Sequence, residues 1–238
     1  ERLNTNITKL NAQELRNCLY RGPYNKLIRV LAKSEDFQDI LKKPDYHRRK
    51  LDEELVLLFL AFYHKNYDQF KGNVKELLTE DMAKHQKIDI KETKELEDSF
   101  KKSVDLIKTI FGDNAFRVFS VDDQTKESSF ESRKLNQGLY LVLMYGFIPY
   151  TKNQIMPYAD LIREEMINLE IHNKEFREAL VGSGTNSKDK IIKKLDIWRS
   201  TLKGILGYPF QEPRCFSLNL KESLLKHDPT CKLCNQRI

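Results

Sequence analysis

The sequence predicts an all-α fold, a bundle-like array of helices with at most one small β-hairpin near residues 115–121. Apolar residues recur at spacings of three and four along most of the chain, which is the period of one helix face. Residues that favour helix N-caps precede several of these segments, and glycine or proline follows several of them. An alternation of apolar and polar residues, which is typical of a strand, occurs at residues 115–121.

The N-terminal helix is predicted from its two ends. Asn11 can cap the first turn with its side chain, while Glu14 reaches back to complete a capping box. The Gly22-Pro23 pair ends the helix, because glycine accepts a positive φ and proline cannot continue the hydrogen-bond ladder. One face of this helix is apolar and consists of Leu15, Cys18 and Leu19. We expect Cys18 to be a small buried residue of the core.

Further helices follow from the same spacing. The predicted segments are residues 24–33, 35–41, 49–63, 74–82, 92–111, 132–145, 156–170, 173–180 and 187–206. The apolar run from Leu55 to Tyr63 predicts a helix buried on nearly all sides, and it is far shorter than the roughly 20 residues that span a bilayer. Trp198 lies on the apolar stripe of the last helix, so we expect it in the core. These helices make residues 25–206 one helical domain, and glycine and prolines indicate a linker at residues 207–216.

Composition excludes several classes of protein. The 238-residue chain carries 41 basic and 35 acidic residues, a net charge of +6 that is compatible with nucleic-acid contact but does not demand it. Four scattered cysteines do not make a disulfide framework, and the sequence contains neither a signal peptide nor a membrane-length apolar run. We therefore expect a cytoplasmic protein without a membrane partner. No catalytic residue is predicted, because no nucleophile elbow is present and the histidines lack metal or triad spacing among themselves. The histidines are His47, His64, His85, His172 and His227.

The most informative part of the chain is Arg-Leu-Asn-Thr-Asn-Ile at residues 2–7, followed by Leu-Asn-Ala-Gln-Glu-Leu-Arg-Asn at residues 10–17. It closely resembles the end of the ParB-like domain in GmrSD-type restriction and phage-defence proteins. The matching residues are Arg2, Leu3, Asn4, Thr5, Leu10, Asn11, Gln13, Glu14, Arg16, Asn17, Tyr20 and Gly22. The family has Gly-Gly where this chain has Asn6-Ile7, and only the asparagine can preserve a left-handed turn. The family's Asp-Gly-Gln-Gln-Arg nucleotide motif is expected upstream, so residues 1–24 are assigned to the end of that domain and the start of the helical region.

The sequence Leu-Leu-Lys-His-Asp-Pro-Thr-Cys-Lys-Leu-Cys at residues 224–234 resembles the entry to an HNH endonuclease domain. We assign residues 217–238 to the start of such a domain. In that family a second cysteine pair follows, so the resemblance implies that Cys231 and Cys234 are half of a zinc site. Structural zinc takes four ligands, and zinc is not expected to bind this half-site alone. An ordinary pair of thiols is the alternative, and His227 is an alternative third ligand.

The resemblance implies that this chain is the helical connecting region of a defence endonuclease. It would couple an upstream nucleotide-binding ParB-like domain to a downstream HNH nuclease that cleaves foreign DNA with a divalent metal ion, and it would be inactive alone. DNA, a nucleotide and the upstream domain are the implied partners, and the oligomeric state is left open. The residues implied at the interface with the nucleotide-binding domain are Arg2, Asn4, Thr5, Gln13, Glu14, Arg16 and Asn17. The alternatives are a non-catalytic protein-interaction module and a sequence-independent nucleic-acid-binding domain.

A glycine-rich turn, Gly-Ser-Gly-Thr-Asn-Ser-Lys at residues 182–188, precedes the last helix. It does not fit the Walker pattern, but a helix N-terminus after such a turn directs free N–H groups and a positive dipole end at anions. If any part of the chain contacts DNA phosphates, we expect it to be this one. The candidate contacts are Thr185, Asn186, Ser187, Lys188, Lys190 and Lys194. The alternative is an ordinary helix cap beside a solvated basic face.

Overall fold

The computed structural model of the protein describes residues 9–42, 47, 49–65, 67, 70, 72–121, 127–131 and 135–207. Within these residues the fold is all-α with one small antiparallel hairpin, which confirms the predicted fold class. The helices are α1 (Ala12–Leu19), α2 (Pro23–Ala32), α3 (Glu35–Leu41), α4 (Leu51–His64), α5 (Val74–Lys84), α6 (Ile90–Phe111), α7 (Gln137–Gly146), α8 (Lys152–Ile155), α9 (Ala159–His172), α10 (Lys174–Leu180) and α11 (Lys188–Leu206). The strands are β1 (Phe119–Val121) and β2 (Ser128–Phe130), and turns of 3-10 helix cover Gly112–Asn114 and Met156–Tyr158.

Helix α4 forms the centre of the domain, because apolar residues surround most of its circumference. Every residue from Leu55 to Phe62 is buried, and the helix packs against α2, α5 and α7. The hydroxyl of Tyr140 in α7 donates a hydrogen bond to the backbone carbonyl of Leu55 at 2.8 Å. The predicted burial of this helix on nearly all sides is therefore confirmed. Within the described part of the chain, no helix combines the length and the apolar character needed to cross a membrane.

The hairpin pairs β1 with β2, and its phenylalanine pair lies against α9. Phe119 lies opposite Phe130, with ring centroids 4.8 Å apart. The strand begins later than the alternation at residues 115–121 suggested, because Phe116 has a left-handed backbone with a φ of 61°. On α9, a carboxylate oxygen of Glu170 accepts a hydrogen bond from the Phe119 N–H at 2.8 Å. A buried acidic side chain thus connects the hairpin to the helices.

Helices α7 and α11 approach closely because one of them ends in glycine. Trp198 of α11 is fully buried, which confirms its predicted place in the core. A Cβ atom added at Gly146 of α7 would lie 2.4 Å from the indole Nε1 of Trp198. Phe147 packs edge-on against the same indole, with centroids 6.2 Å apart. Gly146 therefore sets how near the two helices come.

Candidate functional site

The N-terminal helix has the predicted cap. The side-chain oxygen of Asn11 accepts a hydrogen bond from the Glu14 N–H at 2.8 Å, and Glu14 accepts one from the Asn11 N–H at 2.7 Å. This reciprocal pair is the capping box that the sequence predicted. The Asn11 amide also donates to the backbone carbonyl of Arg49 at 2.6 Å, which joins the start of α1 to the segment before α4.

The polar face of α1 points into the domain, where it meets the first turn of α4. Arg16 donates to a carboxylate oxygen of Glu54 at 2.6 Å, and the Asn17 amide donates to Glu53 at 2.7 Å. The side chain of Gln13 accepts from Arg16 at 2.8 Å and donates to Asn17 at 3.2 Å, so it fixes the orientation of both. Burial lowers the pKa of the Arg16 guanidinium, and its ion pair with Glu54 opposes that shift. We call these five residues the α1–α4 junction.

Helix α1 buries its polar face and exposes its apolar face, which is the reverse of the predicted arrangement. Leu15 and Leu19 are 47% and 70% exposed, and Cys18 is exposed as well, so the prediction that Cys18 is a buried core residue is wrong. The physical reason lies in Glu53, which is fully buried. The Lys50 ammonium lies 3.3 Å from one oxygen of this carboxylate, and the Asn17 amide of α1 donates to the other at 2.7 Å. A buried carboxylate oxygen without a donor is costly, so α1 turns its donors inward.

The residues implied at a nucleotide-domain interface are only partly described. Arg2, Asn4 and Thr5 lie outside the described residues. Gln13, Arg16 and Asn17 are buried against α4, and Glu14 completes the cap. Their contact with an upstream domain stays a prediction, and the surface that α1 presents outward is the apolar one.

The glycine-rich turn before α11 contains two glycines with positive φ, a conformation that glycine adopts readily. Gly182 and Gly184 have φ values of +108° and +69°, and α11 starts after Ser187, whose side chain makes no capping hydrogen bond within the described residues. Asn186, Ser187 and Lys188 are exposed and Thr185 is half-buried. The Lys190 ammonium donates to the carbonyl of Ser183 at 2.9 Å, on the same turn.

Lys194 does not belong to this exposed set. It is fully buried, and its ammonium donates to the carbonyl oxygens of Thr185 at 2.9 Å and Ala179 at 3.5 Å. Burial lowers the pKa of Lys194 to about 8, and the charge of Lys190 adds to that shift. Lys194 therefore holds the turn from inside, and its predicted contact with phosphate is corrected: it has no surface to offer a ligand.

We expect the double variant Lys188→Ala/Lys190→Ala to bind DNA with a weaker salt dependence if this turn contacts phosphates. Each lost phosphate contact lowers the salt slope by about one unit, so the pair should lower it by about two. Fluorescence anisotropy across a salt series measures the slope. The matched control is Lys91→Ala/Lys174→Ala, which removes the same charge from two side chains that are each 87% exposed elsewhere. Equal slopes for the two double variants would show that the turn has no special role.

A cluster of two histidines and an aspartate lies at the adjoining ends of α4 and α5. Asp81 of α5 has its Oδ1 atom 2.9 Å from Nδ1 of His64, the last residue of α4. The same Oδ1 lies 3.0 Å from Nδ1 of His85, the residue that ends α5. The two imidazole rings are stacked with centroids 3.8 Å apart, and the buried hydroxyl of Tyr24 donates to Oδ2 of Asp81 at 2.5 Å. We call His64, Asp81 and His85 the His–Asp–His cluster.

The electrostatics of this cluster keep its aspartate ionised. Burial is the largest single influence and raises the pKa of Asp81, but hydrogen bonds from both histidines and from Tyr24 outweigh it and bring the pKa to about 2. The hydrogen bond to Asp81 is also the main cause of the raised pKa of His85. Burial, followed by the charge of Asp81, raises the pKa of Tyr24 well above its ordinary value. The cluster is thus a carboxylate surrounded by three potential donors.

This cluster was not predicted, because the spacing of the histidines among themselves gives no sign of it. Asp81 and His85 are four residues apart at the end of α5, which places both on one helix face, and that spacing was visible in the sequence. His64 comes from another helix, so no spacing rule could have added it. Its ligand-type atoms and those of Asp81 and His85 all lie within 4.8 Å of one another, which makes the three residues able to hold a metal ion.

The metal ligands that the sequence predicted belong to the C-terminal segment. The residues in question, Cys231, Cys234 and His227, lie outside the described residues, as do residues 208–216 of the predicted linker.

Comparisons of the chain with protein-family models, with curated proteins and with solved structures found no match. The likeness to GmrSD-type proteins therefore stays a resemblance carried by the residues quoted above.

Proposed function

We propose that this chain is the helical connecting region of a defence endonuclease. It would couple an upstream nucleotide-binding ParB-like domain to a downstream HNH nuclease that acts on DNA with a divalent metal ion. The structural observation that supports this best is the orientation of α1, whose apolar face remains exposed. An upstream domain that packs on Leu15 and Leu19 would bury these side chains, since contiguous exposed apolar surface is uncommon without a partner.

The α1–α4 junction suits such a coupling role. Arg16 and Asn17 connect α1 to α4 through short hydrogen bonds to the carboxyl groups of Glu54 and Glu53, at 2.6 Å and 2.7 Å. Helix α4 in turn packs against α2, α5 and α7. A displacement of α1 by a bound domain would therefore reach the central helix directly.

The coding sequence around this chain gives the first test of the proposal. We expect an Asp-Gly-Gln-Gln-Arg motif upstream, and histidines with a second Cys-x-x-Cys pair downstream. That second pair would supply the two ligands that Cys231 and Cys234 lack for a closed zinc site. The zinc content of the whole protein should then fall by one ion per chain in the Cys231→Ser/Cys234→Ser variant, which metal analysis measures.

Nucleotide-stimulated DNA cleavage by the whole protein gives the second test. We expect Leu15→Lys/Leu19→Lys to reduce the stimulation by about tenfold, the size of an ordinary coupling between two sites. Both side chains are exposed, so the substitutions should leave folding and basal cleavage intact. The control is Leu161→Lys on α9, because Leu161 is 42% exposed and belongs to another helix.

Three results separate the possibilities. Loss of stimulation only in the α1 variant supports coupling through this face. Equal stimulation in both variants means that another surface carries the coupling. Absence of any DNA cleavage by the wild-type protein overturns the endonuclease proposal and leaves a protein-interaction module, which the same exposed apolar face would also serve.

A further inference from the structure

The His–Asp–His cluster has the spacing of a set of metal ligands. Nδ1 of His64 and Nδ1 of His85 lie 2.9 Å and 3.0 Å from the same oxygen of Asp81. Two ligands of a tetrahedral zinc ion, each bonded at 2.0–2.1 Å, are about 3.3 Å apart. The two nitrogen–oxygen distances are a few tenths of an ångström shorter than this, and the ligand-type atoms of the three residues all lie within 4.8 Å of one another, so side-chain shifts could admit an ion between them.

The groups around the cluster could hold the ligand side chains in place by hydrogen bonds. The hydroxyl of Tyr24 donates to Oδ2 of Asp81, which leaves Oδ1 facing the two histidines. Nε2 of His64 is buried and has no hydrogen-bond partner within the described residues. A carboxylate oxygen of Glu92 lies 3.7 Å from that nitrogen, and the Glu92 side chain is 39% exposed. A histidine that binds a metal through one nitrogen usually donates its other N–H to a carboxylate.

The cluster is also reachable from solvent. The side chains of His64 and His85 are 14% and 15% exposed, whereas Asp81 beneath them is 5% exposed. Two imidazoles and one carboxylate leave a fourth tetrahedral position, which water can fill from the open side. Imidazole nitrogen favours zinc and its first-row neighbours over magnesium or calcium, which prefer oxygen ligands.

We propose that His64, Asp81 and His85 form a binding site for one divalent transition-metal ion of the zinc class, with Tyr24 holding Asp81 and Glu92 facing His64. The ion would connect the end of α4 to the end of α5, two helices that pack against each other. This site is separate from the cysteine pair and does not depend on the proposed endonuclease function.

The competing interpretation is a hydrogen-bonded cluster without metal. In that case each histidine donates an N–H to Asp81, and His85 has the backbone carbonyl of Asp81 at 3.1 Å as a further acceptor. Both interpretations give the same distances in the metal-free protein. Only metal binding itself separates them.

The test uses the full chain with Cys231→Ser and Cys234→Ser, which removes the cysteine pair as a competing zinc site. After treatment with a chelator and its removal, Zn²⁺ is titrated by calorimetry and Co²⁺ by absorption spectroscopy at neutral pH. We expect one ion per chain, an affinity in the micromolar range or tighter, a visible Co²⁺ band of tetrahedral intensity and a raised Tm in zinc.

Variants assign the site to these residues. His85→Ala should weaken zinc binding by about a hundredfold or more, because it removes a ligand. Glu92→Gln should weaken it by about tenfold, because it removes the carboxylate beside Nε2 of His64. The control His172→Ala removes a histidine from the end of α9 and should bind zinc as the parent does. Circular dichroism shows whether each variant is folded, and His85→Gln replaces His85→Ala if that variant is not.

The contradicting results are equally clear. Absence of stoichiometric zinc binding by the folded parent protein overturns the site, whatever the variants do. Zinc binding that survives both His85→Ala and His85→Gln places the ion elsewhere and also overturns it. Neither result bears on DNA cleavage by the whole protein, so this proposal and the endonuclease proposal can fail separately.

Discussion

Replacing Glu170 by glutamine is expected to stabilise the protein increasingly as the pH rises. Between about pH 5 and pH 7.5, the advantage of the variant in free energy of unfolding should grow by about 3 kcal/mol. Glu170 is 1% exposed, and its Oε1 atom has no hydrogen-bond partner among the described residues. Burial raises the pKa of this carboxyl from 4.5 to about 8, although the hydrogen bond from the Phe119 N–H opposes the shift.

The direction follows from proton binding. In the unfolded chain Glu170 loses its proton near pH 4.5, whereas in the folded protein it keeps the proton until about pH 8. Between these values the folded state binds more protons than the unfolded state, so the stability of the wild type falls as the pH rises. A glutamine side chain does not titrate in this range, so the stability of the Glu170→Gln variant lacks this pH-dependent loss.

Urea denaturation at several pH values measures the effect. The control is Glu178→Gln on α10, where the side chain is 63% exposed and its substitution should change the free energy of unfolding little. A constant difference between wild type and Glu170→Gln across this pH range would mean that Glu170 is ionised in the folded protein. The decisive quantity is the difference between the two proteins in how the free energy of unfolding changes with pH. A buried glutamine amide without a partner would lower the stability equally at every pH, so it would not alter that difference.

Replacing Gly146 by alanine should destabilise the protein by about 2–3 kcal/mol, the upper part of the range for overpacked cores. The new Cβ would lie 2.4 Å and 2.5 Å from the Nε1 and Cδ1 atoms of Trp198. Such distances are far inside van der Waals contact. The indole is fully buried and has no room to move away, so α7 and α11 would have to separate.

Gly204→Ala on α11 is the matched control, because the same substitution meets no atom of the described structure within 4 Å there. Alanine is a better helix former than glycine, so this variant should be more stable than the wild type by about 0.5–1 kcal/mol. Urea denaturation of both variants gives the comparison. A Gly146→Ala protein as stable as the wild type would show that the two helices are not in close contact.

The features predictable from sequence were those that depend on neighbouring residues. The capping box of Asn11 and Glu14 was predictable because a cap involves residues three apart, and the structure contains both hydrogen bonds. The burial of α4 and of Trp198 was predictable because large apolar side chains gain free energy when they are removed from water. The hairpin was placed only roughly, because the left-handed backbone of Phe116 has no signal in an alternating pattern.

The orientation of α1 and the candidate sites depended on partners far along the chain. Periodicity identifies two faces of α1 but not the buried carboxylate of Glu53, 36 residues from Asn17, that decides which face turns inward. Lys194 had a local signal, since it lies three residues after Ile191 and four before Trp198, beside the apolar stripe. The His–Asp–His cluster needed His64, which only the packing of α4 against α5 brings near Asp81.

The α1–α4 junction has a thermal consequence. Exposure of polar groups to water lowers the heat capacity, whereas exposure of apolar groups raises it. Release of α1 would hydrate a guanidinium, amides and carboxylates, so its heat-capacity change is small, and unfolding of the apolar region around α4 has a large positive one. Apolar burial contributes less stability on cooling. On cooling, the free energy that attaches α1 to the domain should therefore change less than the free energy that stabilises the apolar region around α4.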